Sequence, residues 1–323
     1  MTGIGVLIPT REYHLRGETD ARRLVDFAVR AEDLGFDSVW AGDSLHARPR
    51  VEPLTLLAAV AGATRDVTIG TAALTAALRH PVLAAHSVAT LDQVSGGRLI
   101  VGLGAGFPYP STEAEFAVAG VPFADRIARM METVAVWRLL LRADTAVDVT
   151  AALEKRGLPD DLDALPKPVQ PGGPPLWLAG GGPTALRRAA RHFDGWLPYP
   201  PTAAEYRHGL KAIEHHARES GRPASAVTAG LYVTVNSSGP RSARQQLDDY
   251  CLGYYGFGIE TMEHVQAFYG GDLDGCVAWL ASYVEAGARH VILRFGAGDP
   301  DGHLDWAGKH LLSALRQHLP VTI

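Results

Sequence analysis

An acid and a base follow one short apolar segment of the chain. Asp43 comes directly after residues 39–42 (VWAG), and His46 lies three positions further on. A carboxylate beside an imidazole can move protons near neutral pH, so both residues are candidates for catalysis. Asp43 can equally cap the loop that follows it, because short acidic side chains accept hydrogen bonds from nearby backbone N–H groups. Four other side chains that could face the same site are Arg11, His14, Arg294 and His303.

Glycine-rich turns form the second group of candidates. Residues 180–182 are three glycines before Pro183, so the backbone can approach a phosphate while the following helix offers free N–H groups. The same turn could instead serve a tight bend that needs positive φ. Gly104 and Gly106 lack the spacing of a dinucleotide fingerprint, and we interpret them as a flat wall for a planar ring. The candidate cofactor-binding residues are Thr71, Ala72, Ala73, Gly104, Ala105, Gly106, Gly180, Gly181, Gly182 and Thr184.

Several other chemistries lack their motifs in this sequence. It has no HxH segment after the first strand, no Gly-x-Ser-x-Gly elbow and no Walker-type Gly-Lys-Thr, and we predict no metal. The 30 basic and 35 acidic residues are mixed along the chain, which argues against nucleic acid as a partner. Cys251 and Cys276 fit no metal-binding pattern and indicate a reducing compartment.

The elements that must position these residues alternate regularly. Short runs rich in Val, Ile and Leu alternate with longer segments of helical period, which is typical of βαβ units around a buried parallel sheet. One helix is predicted over residues 20–34, where Leu24, Phe27, Ala28 and Ala31 recur on one face. The eight predicted strands cover residues 3–8, 38–41, 67–73, 98–103, 175–179, 195–198, 228–235 and 290–295.

Eight units of strand and helix predict an α/β fold of the (β/α)8 TIM-barrel type, as a single domain over residues 1–323. An open doubly wound sheet would explain the same alternation, but no switch in loop length marks a point where the strand order reverses. In a barrel, the loops that follow the strands meet at one face, and the candidate residues above lie in such loops.

Two long segments interrupt the alternation, residues 143–174 before strand 5 and residues 236–271 after strand 7. Segments of this length in a compact domain are usually functional or partly helical. The second segment either packs a small core of its own or forms a wall over the active site. Its aromatic residues are Tyr250, Tyr254, Tyr255, Phe257, Phe268 and Tyr269.

The expected location follows from two features. The apolar stretch at the N-terminus is too short for a signal peptide and has no basic leader. No segment approaches the roughly 20 apolar residues needed to cross a bilayer. We therefore expect a cytoplasmic protein without a membrane partner.

Several ordered motifs of this chain resemble the bacterial-luciferase-like family of flavin- and deazaflavin-dependent oxidoreductases. The resemblance is strong over residues 1–200 and looser beyond them. The motifs are AEDLGFDSVW at 31–40, GTAAL at 70–74, RHP at 79–81, ATLDQVSGGR at 89–98, GLGAG at 102–106, GGGP at 180–183 and DGW at 194–196.

This resemblance implies a barrel that holds a flavin or deazaflavin ring at the carboxyl ends of its strands, with the phosphate near the glycine turn after strand 5. It also implies a non-prolyl cis peptide bond between Ala72 and Ala73, and a homodimer. Two positions depart from the family pattern. Ser44 stands where many relatives have histidine, and Phe107 stands where deazaflavin-dependent sugar-phosphate dehydrogenases have glutamate. The second departure favours flavin mononucleotide (FMN) over coenzyme F420.

Three functions are compatible with these features. The first is a monooxygenase that takes reduced FMN from a separate flavin reductase and uses O2 on a small organic substrate. The second is hydride transfer with the deazaflavin coenzyme F420, and the third is a non-catalytic flavin-binding barrel. Because the expected mouth is aromatic without an evident basic cluster, we expect a neutral or mildly polar substrate. The predicted substrate pocket consists of Phe107, Tyr109, Trp196, Tyr199 and Arg294.

Overall fold

The apolar runs of the sequence form short strands that are buried on both faces, as expected for a parallel sheet covered by helices. The computed structural model describes residues 2–141, 149–159, 162, 165–239 and 242–318. Its strands are β1 (Gly3–Leu7), β2 (Ser38–Ala41), β3 (Thr68–Leu74), β4 (Leu99–Leu103), β5 (Leu176–Leu178), β6 (Gly195–Trp196), β7 (Thr228–Asn236), β8 (Phe268–Gly270) and β9 (His290–Phe295).

Eight of these strands close into a parallel barrel. Strands β1 to β6 pair in chain order, β6 pairs with β7, β7 with β9, and β9 returns to β1. The barrel prediction is therefore confirmed, and the open-sheet alternative is excluded because β6, which would be an edge strand of an open sheet, pairs with β7 and closes the barrel. The short strand β8 was not predicted; it pairs with the upper end of β7, at residues 234–236.

Helices follow the strands and cover the barrel. Residues Leu24, Phe27, Ala28 and Ala31 are buried on one face of α2, as the sequence predicted. The helices are α1 (Thr10–Leu15), α2 (Arg22–Asp33), α3 (Pro53–Ala63), α4 (Pro81–Ser95), α5 (Pro110–Val118), α6 (Arg126–Leu140), α7 (Val149–Glu154), α8 (Pro183–His192), α9 (Ala203–Glu219), α10 (Ala243–Tyr255), α11 (Ile259–Met262), α12 (Leu273–Glu285), α13 (Pro300–Trp306) and α14 (Leu312–His318). Among the described residues, no helix is long and apolar enough to span a membrane.

Aromatic side chains fill the lower half of the barrel interior, at the amino-terminal ends of the strands. The indoles of Trp40 and Trp177 lie 5.4 Å apart, and both meet the ring of His290 edge-on. The hydroxyl of Ser38 accepts a hydrogen bond from Trp40 Nε1 at 2.7 Å and contacts His290 Nε2 at 2.7 Å. Every polar atom named here therefore finds its partner inside the barrel.

Two glycines make room for these rings. A Cβ atom at Gly70 would overlap the indole of Trp40, and one at Gly195 would overlap the indole of Trp177. The lower half of the barrel is thus a packed core and not a channel.

The two insertions are built differently. The first lies partly outside the described residues; its described part contains α7, and Gln170 ties the segment to the core through both carboxylate oxygens of Asp92, at 2.9 and 2.7 Å. The second contains α10, α11 and β8, and it packs a small core of Leu247, Cys251, Ile259 and Met262. Its tyrosines also line the barrel mouth, so the segment both packs a small core of its own and forms a wall of the mouth.

Candidate active site

A cavity of about 390 Å³ opens at the carboxyl ends of the strands. The ends of β2, β3, β5, β6, β7 and β9 form its floor, and the insertion after β7 forms one side. The residues that line it are Gly42, Asp43, Arg48, Arg50, Ala72, Ala73, Phe107, Tyr109, Ala179, Leu197, Tyr199, Tyr232, Tyr254, Tyr255, Phe257, Thr261, Met262, Val265, Gln266 and Arg294.

One wall of the cavity consists of small side chains. Ala72 and Ala73 lie next to the last residue of β3, the peptide bond between them is cis, and Ala179 follows β5. The cis bond implied by the family resemblance is thus confirmed. A Cβ atom at Gly104 would touch that of Ala73 at 3.3 Å. Because no large side chain projects from these three alanines, this wall can accept a planar ring.

A second cavity of about 440 Å³ adjoins the first, and Tyr199 and Val265 line both. It contains Gly180 and Gly181, and Gly182 caps the N-terminus of α8, which begins with Pro183. A Cβ atom at Gly181 would meet no atom within 4 Å. The free N–H groups at this helix end and the open space beside them suit a phosphate.

Not every predicted cofactor residue reaches a cavity. Thr71 is buried and its hydroxyl donates to the carbonyl of Gly102 at 2.8 Å. Gly106 has φ +83°, and a Cβ atom there would point at Thr112 and Phe116 of α5. Thr184 is exposed in the first turn of α8. Gly104, Ala105 and Gly106 shape the backbone behind the alanine wall without lining the cavity themselves.

Asp43 faces the cavity, but both carboxylate oxygens are already bound. The guanidinium of Arg79 donates to Asp43 Oδ2 at 2.6 Å and Oδ1 at 3.2 Å, and the backbone N–H of Thr75 donates to Oδ2 at 2.8 Å. Burial opposes the charge of Arg79, but its bonds to Asp43 and Glu52 raise the pKa of the guanidinium overall. Through these hydrogen bonds, Asp43 links the end of β2 to the segment that follows β3.

His46 is exposed and does not line the cavity, so the structure does not unite it with Asp43 as a proton-transfer pair. The loop turns outward because the buried carboxylate of Glu115 on α5 accepts hydrogen bonds from the Ser44 hydroxyl and from the backbone N–H groups of Leu45 and His46. The sequence could not show these hydrogen bonds, since Glu115 lies about 70 residues away from the loop along the chain.

Four of the five predicted pocket residues line the strand-end cavity: Phe107, Tyr109, Tyr199 and Arg294. The fifth, Trp196, is buried beside it. Its ring stacks on Tyr206 at 5.3 Å, its Nε1 donates to the carbonyl of Gly180 at 2.7 Å, and it lines the second cavity. Trp196 thus supports the glycine turn from below.

Arg294 at the end of β9 is 3% exposed and lies inside a group of five aromatic rings. The ring centroids of Tyr232, Tyr250, Tyr254, Tyr255 and Phe268 lie 4.9–6.0 Å from its guanidinium carbon. Its nitrogens donate to the neutral oxygens of Thr234, Tyr255 and Gln266. Burial raises the pKa of Tyr250 and Tyr255, while the charge of Arg294 opposes that rise.

Two further arginines were missed by the sequence analysis. Arg48 and Arg50 follow Asp43 on the loop after β2, and both line the cavity. The expectation of a mouth without a basic cluster is therefore wrong, because three arginines face this cavity and its one lining carboxylate, Asp43, is paired with Arg79. The sequence does place two arginines, on either side of Pro49, in the loop that follows the second predicted strand.

The remaining candidates lie at the edge of the site or outside it. Arg11 is partly buried, donates to the carbonyl of Pro49 at 3.5 Å, and leaves its Nε without a partner among the described residues. His14 is exposed, and His303 contacts the carbonyl of Asp299 through Nδ1. Glu12 was not predicted. It is buried, and its Oε1 accepts a 2.6 Å hydrogen bond from the Tyr250 hydroxyl.

Comparison with known proteins gives one family and many relatives. The model of the luciferase-like monooxygenase family matches residues 2–275. An F420-dependent glucose-6-phosphate dehydrogenase of Amycolatopsis mediterranei is 36% identical over 187 residues, which are 54% of this chain and 53% of that protein. A 5,10-methylenetetrahydromethanopterin reductase of Methanolobus tindarius is 27% identical over 210 residues, 65% of this chain and 60% of that protein. The chain thus spans about half the length of the first curated relatives it matches.

Solved structures share the fold across nearly the whole chain. An F420-dependent secondary alcohol dehydrogenase in complex with an F420–acetone adduct superimposes with a TM-score of 0.78 at 22% identity, covering 98% of this chain and 99% of that one. The monooxygenase RslO1 from Streptomyces bottropensis gives a TM-score of 0.74 at 21% identity, covering 96% and 99%. At these identities the likeness concerns the fold.

Proposed function

The chain belongs to the luciferase-like monooxygenase family, and from that premise we propose that it is an oxidoreductase that transfers hydride between bound coenzyme F420 and a small organic substrate. When bound, this deazaflavin would supply two-electron hydride chemistry, which does not depend on O2. The chain would bind both reactants, orient them and exclude water.

The observation that carries this proposal is the pair of adjoining cavities. The alanine wall at Ala72, Ala73 and Ala179 fits a flat ring system, and the glycine turn at the N-terminus of α8 fits a phosphate on the same ligand. Tyr199 and Val265 line both cavities, so one extended cofactor can occupy the two together.

The relatives support a deazaflavin over FMN. Three of them, at 34–36% identity, bear the name F420-dependent glucose-6-phosphate dehydrogenase. The departure at Phe107, which favoured FMN in the sequence analysis, weighs less than this repeated likeness. Phe107 is 53% exposed at the rim, where it can shield a ring from water without taking part in proton transfer.

A monooxygenase that uses reduced FMN is the second candidate. The apolar part of the cavity, with Leu197, Met262 and Val265 beside the alanines, favours it, because a dry pocket would suit the O2 chemistry that reduced FMN supplies when bound. This candidate requires a flavin reductase as a partner. A barrel that binds flavin without catalysis is the third, and its motive is that Asp43 and Ser44 stand where many relatives have an Asp-His pair.

Asp43 acts in this proposal as a positioning residue. Its bonds to Arg79 and Thr75 hold the segment that follows the alanine wall. His46 has no contact with the cavity and receives no role. The homodimer stays a prediction, and a monomeric mass in solution would contradict it.

Titration of the protein with coenzyme F420 and with FMN side by side tests the proposal. We expect saturable F420 binding and little FMN binding, measured by equilibrium dialysis. Ala73→Leu fills the ring wall and should abolish F420 binding, whereas Ala59→Leu on the exposed face of α3 is the matched control and should leave it unchanged. Tight FMN binding with F420 ignored would overturn the proposal in favour of the second candidate.

A further inference from the structure

Three guanidinium groups face the strand-end cavity, and they differ in how completely the protein satisfies them. Arg294 donates from all three nitrogens to Thr234, Tyr255 and Gln266. These bonds tie β7, β9 and the insertion together, so Arg294 holds the tyrosine wall in place. Among the described residues, Arg50 has two hydrogen-bond partners for its guanidinium and Arg48 has none.

Arg50 crosses the end of β2 with part of its guanidinium unpartnered. Its Nε donates to the carbonyl of Arg48 at 3.1 Å, and its Nη2 donates to the Tyr254 hydroxyl at 2.9 Å. Its Nη1 lies against Gly42, where any larger residue would overlap it. Nη1 finds no hydrogen-bond acceptor in the part of the chain that the structure describes.

Arg48 is freer still. Its guanidinium lies 5.1 Å from the centre of the Tyr255 ring, and no described residue accepts a hydrogen bond from it or forms an ion pair with it. A guanidinium that stacks on an aromatic face keeps its edge available for a second ligand.

Nearby carboxylates balance only part of the positive charge of Arg48, Arg50 and Arg294. Asp43 is bound by Arg79 and Thr75. Glu12 is hydrogen-bonded to Tyr250, and against the effect of burial its charge helps to raise the pKa of Arg50. Within the described ranges, no ion pair joins either acid to Arg48, Arg50 or Arg294. Burial, and then the charges of Arg50 and Arg48, lower the pKa of the neighbouring Arg11. The arginines at this cavity outnumber the carboxylates that can balance them, and such an excess of positive charge favours an anionic ligand.

We propose that Arg48 and Arg50 bind an anionic group of the substrate, a phosphate, carboxylate or sulfonate, through their unpartnered N–H groups. This inference rests on the proposed function, since it names the substrate class of the same site. Planar guanidinium groups bind such oxyanions with paired, charge-assisted hydrogen bonds. The substrate is thus acidic and not neutral as the sequence suggested.

The cofactor could also supply an anion, but its phosphate has a better place. The glycine turn and the N-terminus of α8 lie in the second cavity, beyond Tyr199 and Val265. The arginines lie in the first cavity, beside the insertion that carries Tyr254 and Tyr255. Substrate and cofactor phosphate therefore occupy separate anion sites in this proposal.

Inorganic phosphate serves as the probe of the arginine site. We expect saturable phosphate binding, measured by isothermal titration calorimetry at constant ionic strength, to both free and F420-loaded protein. Arg48→Gln and Arg50→Gln should each weaken phosphate binding by about 10- to 100-fold, since each removes hydrogen bonds to a charged group. Arg218→Gln, an exposed arginine on α9, removes the same charge far from the cavity and should change binding less than about twofold.

The same variants separate the two sources of the anion. If the affinity for F420 stays within about twofold in Arg48→Gln and Arg50→Gln, the arginines serve the substrate. If F420 blocks phosphate binding and both variants lose F420 affinity, the arginines serve the cofactor and the inference is wrong. Absence of saturable phosphate binding to the wild-type protein also overturns it. A protein that binds phosphate in an arginine-dependent way but ignores F420 would refute the proposed function and leave the anion site standing.

Because Arg50 is well packed, its loss could affect folding. Circular dichroism of each variant checks this, and Arg50→Lys keeps the charge while losing the planar fork. We expect Arg50→Lys to recover part of the phosphate affinity. No recovery in a folded Arg50→Lys together with full affinity in Arg48→Gln would contradict the inference.

Discussion

Both halves of the barrel interior contain aromatic side chains beside polar or charged ones, but the two halves arrange them differently. In the lower half, Trp40, Trp177 and His290 pack against one another, and their polar atoms meet Ser38. In the upper half, aromatic rings surround arginines, and two of those arginines keep unpartnered N–H groups toward a cavity. The lower half excludes ligands, and the upper half leaves room for them.

Stability and ligand binding therefore depend on different halves of this barrel. In the lower half the rings contact one another directly and their polar atoms are hydrogen-bonded, so a change in side-chain volume there should lower the stability of the fold. In the upper half, the unpartnered N–H groups of Arg48 and Arg50 are available to a ligand. Four comparisons test this contrast, and they follow in order of expected effect.

The largest difference in stability is expected when one aromatic residue of each half is replaced by alanine. Trp177→Ala should lower the free energy of unfolding by about 3–5 kcal/mol, because it empties a fully packed site. Phe107→Ala at the rim, where the side chain is 53% exposed, should change it by less than about 0.5 kcal/mol. Urea denaturation followed by circular dichroism measures both. Equal losses in the two variants would end the distinction between the halves.

The second effect is a pH dependence from the lower half. Burial lowers the pKa of His290 to about 4, from an ordinary value of 6.5. Between these values the unfolded chain binds more protons than the folded one, so stability is complete above pH 6.5 and falls as the pH drops toward 4. The contribution amounts to about 3 kcal/mol.

Comparison with His290→Gln isolates this contribution from that of the carboxylates. The free energy of unfolding should fall less steeply between pH 6.5 and 4 in the variant than in the wild type. Parallel curves for the two proteins would show that His290 does not titrate as its surroundings suggest.

The third effect concerns space beside glycine. Gly70→Ala places a methyl group where the indole of Trp40 lies and should destabilise the protein by about 1–3 kcal/mol. Gly181→Ala in the upper half meets no atom within 4 Å and should leave stability within about 0.5 kcal/mol. Thermal unfolding of Gly70→Ala and Gly181→Ala tests whether glycine makes room for packing in the lower half and for a ligand in the upper half.

The smallest effect is expected at the predicted catalytic pair. Asp43→Asn weakens the partly exposed ion pair with Arg79 and should lower stability by about 1 kcal/mol and reduce cofactor affinity. His46→Ala should change neither quantity measurably, because its side chain is exposed outside the cavity. A large loss of cofactor affinity in His46→Ala would restore it as a functional residue.

Much of the fold was predictable because it depends on local patterns. All eight barrel strands and the buried face of α2 follow from apolar periodicity and from helix-ending signals such as Gly35. Strand β8 was not predictable in this way, since it is three residues long and gains its pairing only from the upper end of β7.

The site was less predictable because contacts between distant residues decide it. The outward turn at His46 depends on Glu115, and the burial of Arg294 depends on tyrosines about 40 to 60 residues earlier in the chain. Aromatic and basic residues near strand ends were visible in the sequence. Which of them meet, and which keep free hydrogen-bond donors, depends on the closure of the barrel.

Strand β8 joins the sheet through β7 alone, and the tyrosines of α10 add hydrogen bonds to Glu12, Arg50 and Arg294. The alanine wall and the glycine turn lie in the first two thirds of the chain, so the two sides of the mouth come from distant parts of the sequence. The tyrosine side is therefore fitted to this particular barrel. A transplant of the insertion onto a related scaffold would have to carry Glu12, Arg50 and Arg294 with it.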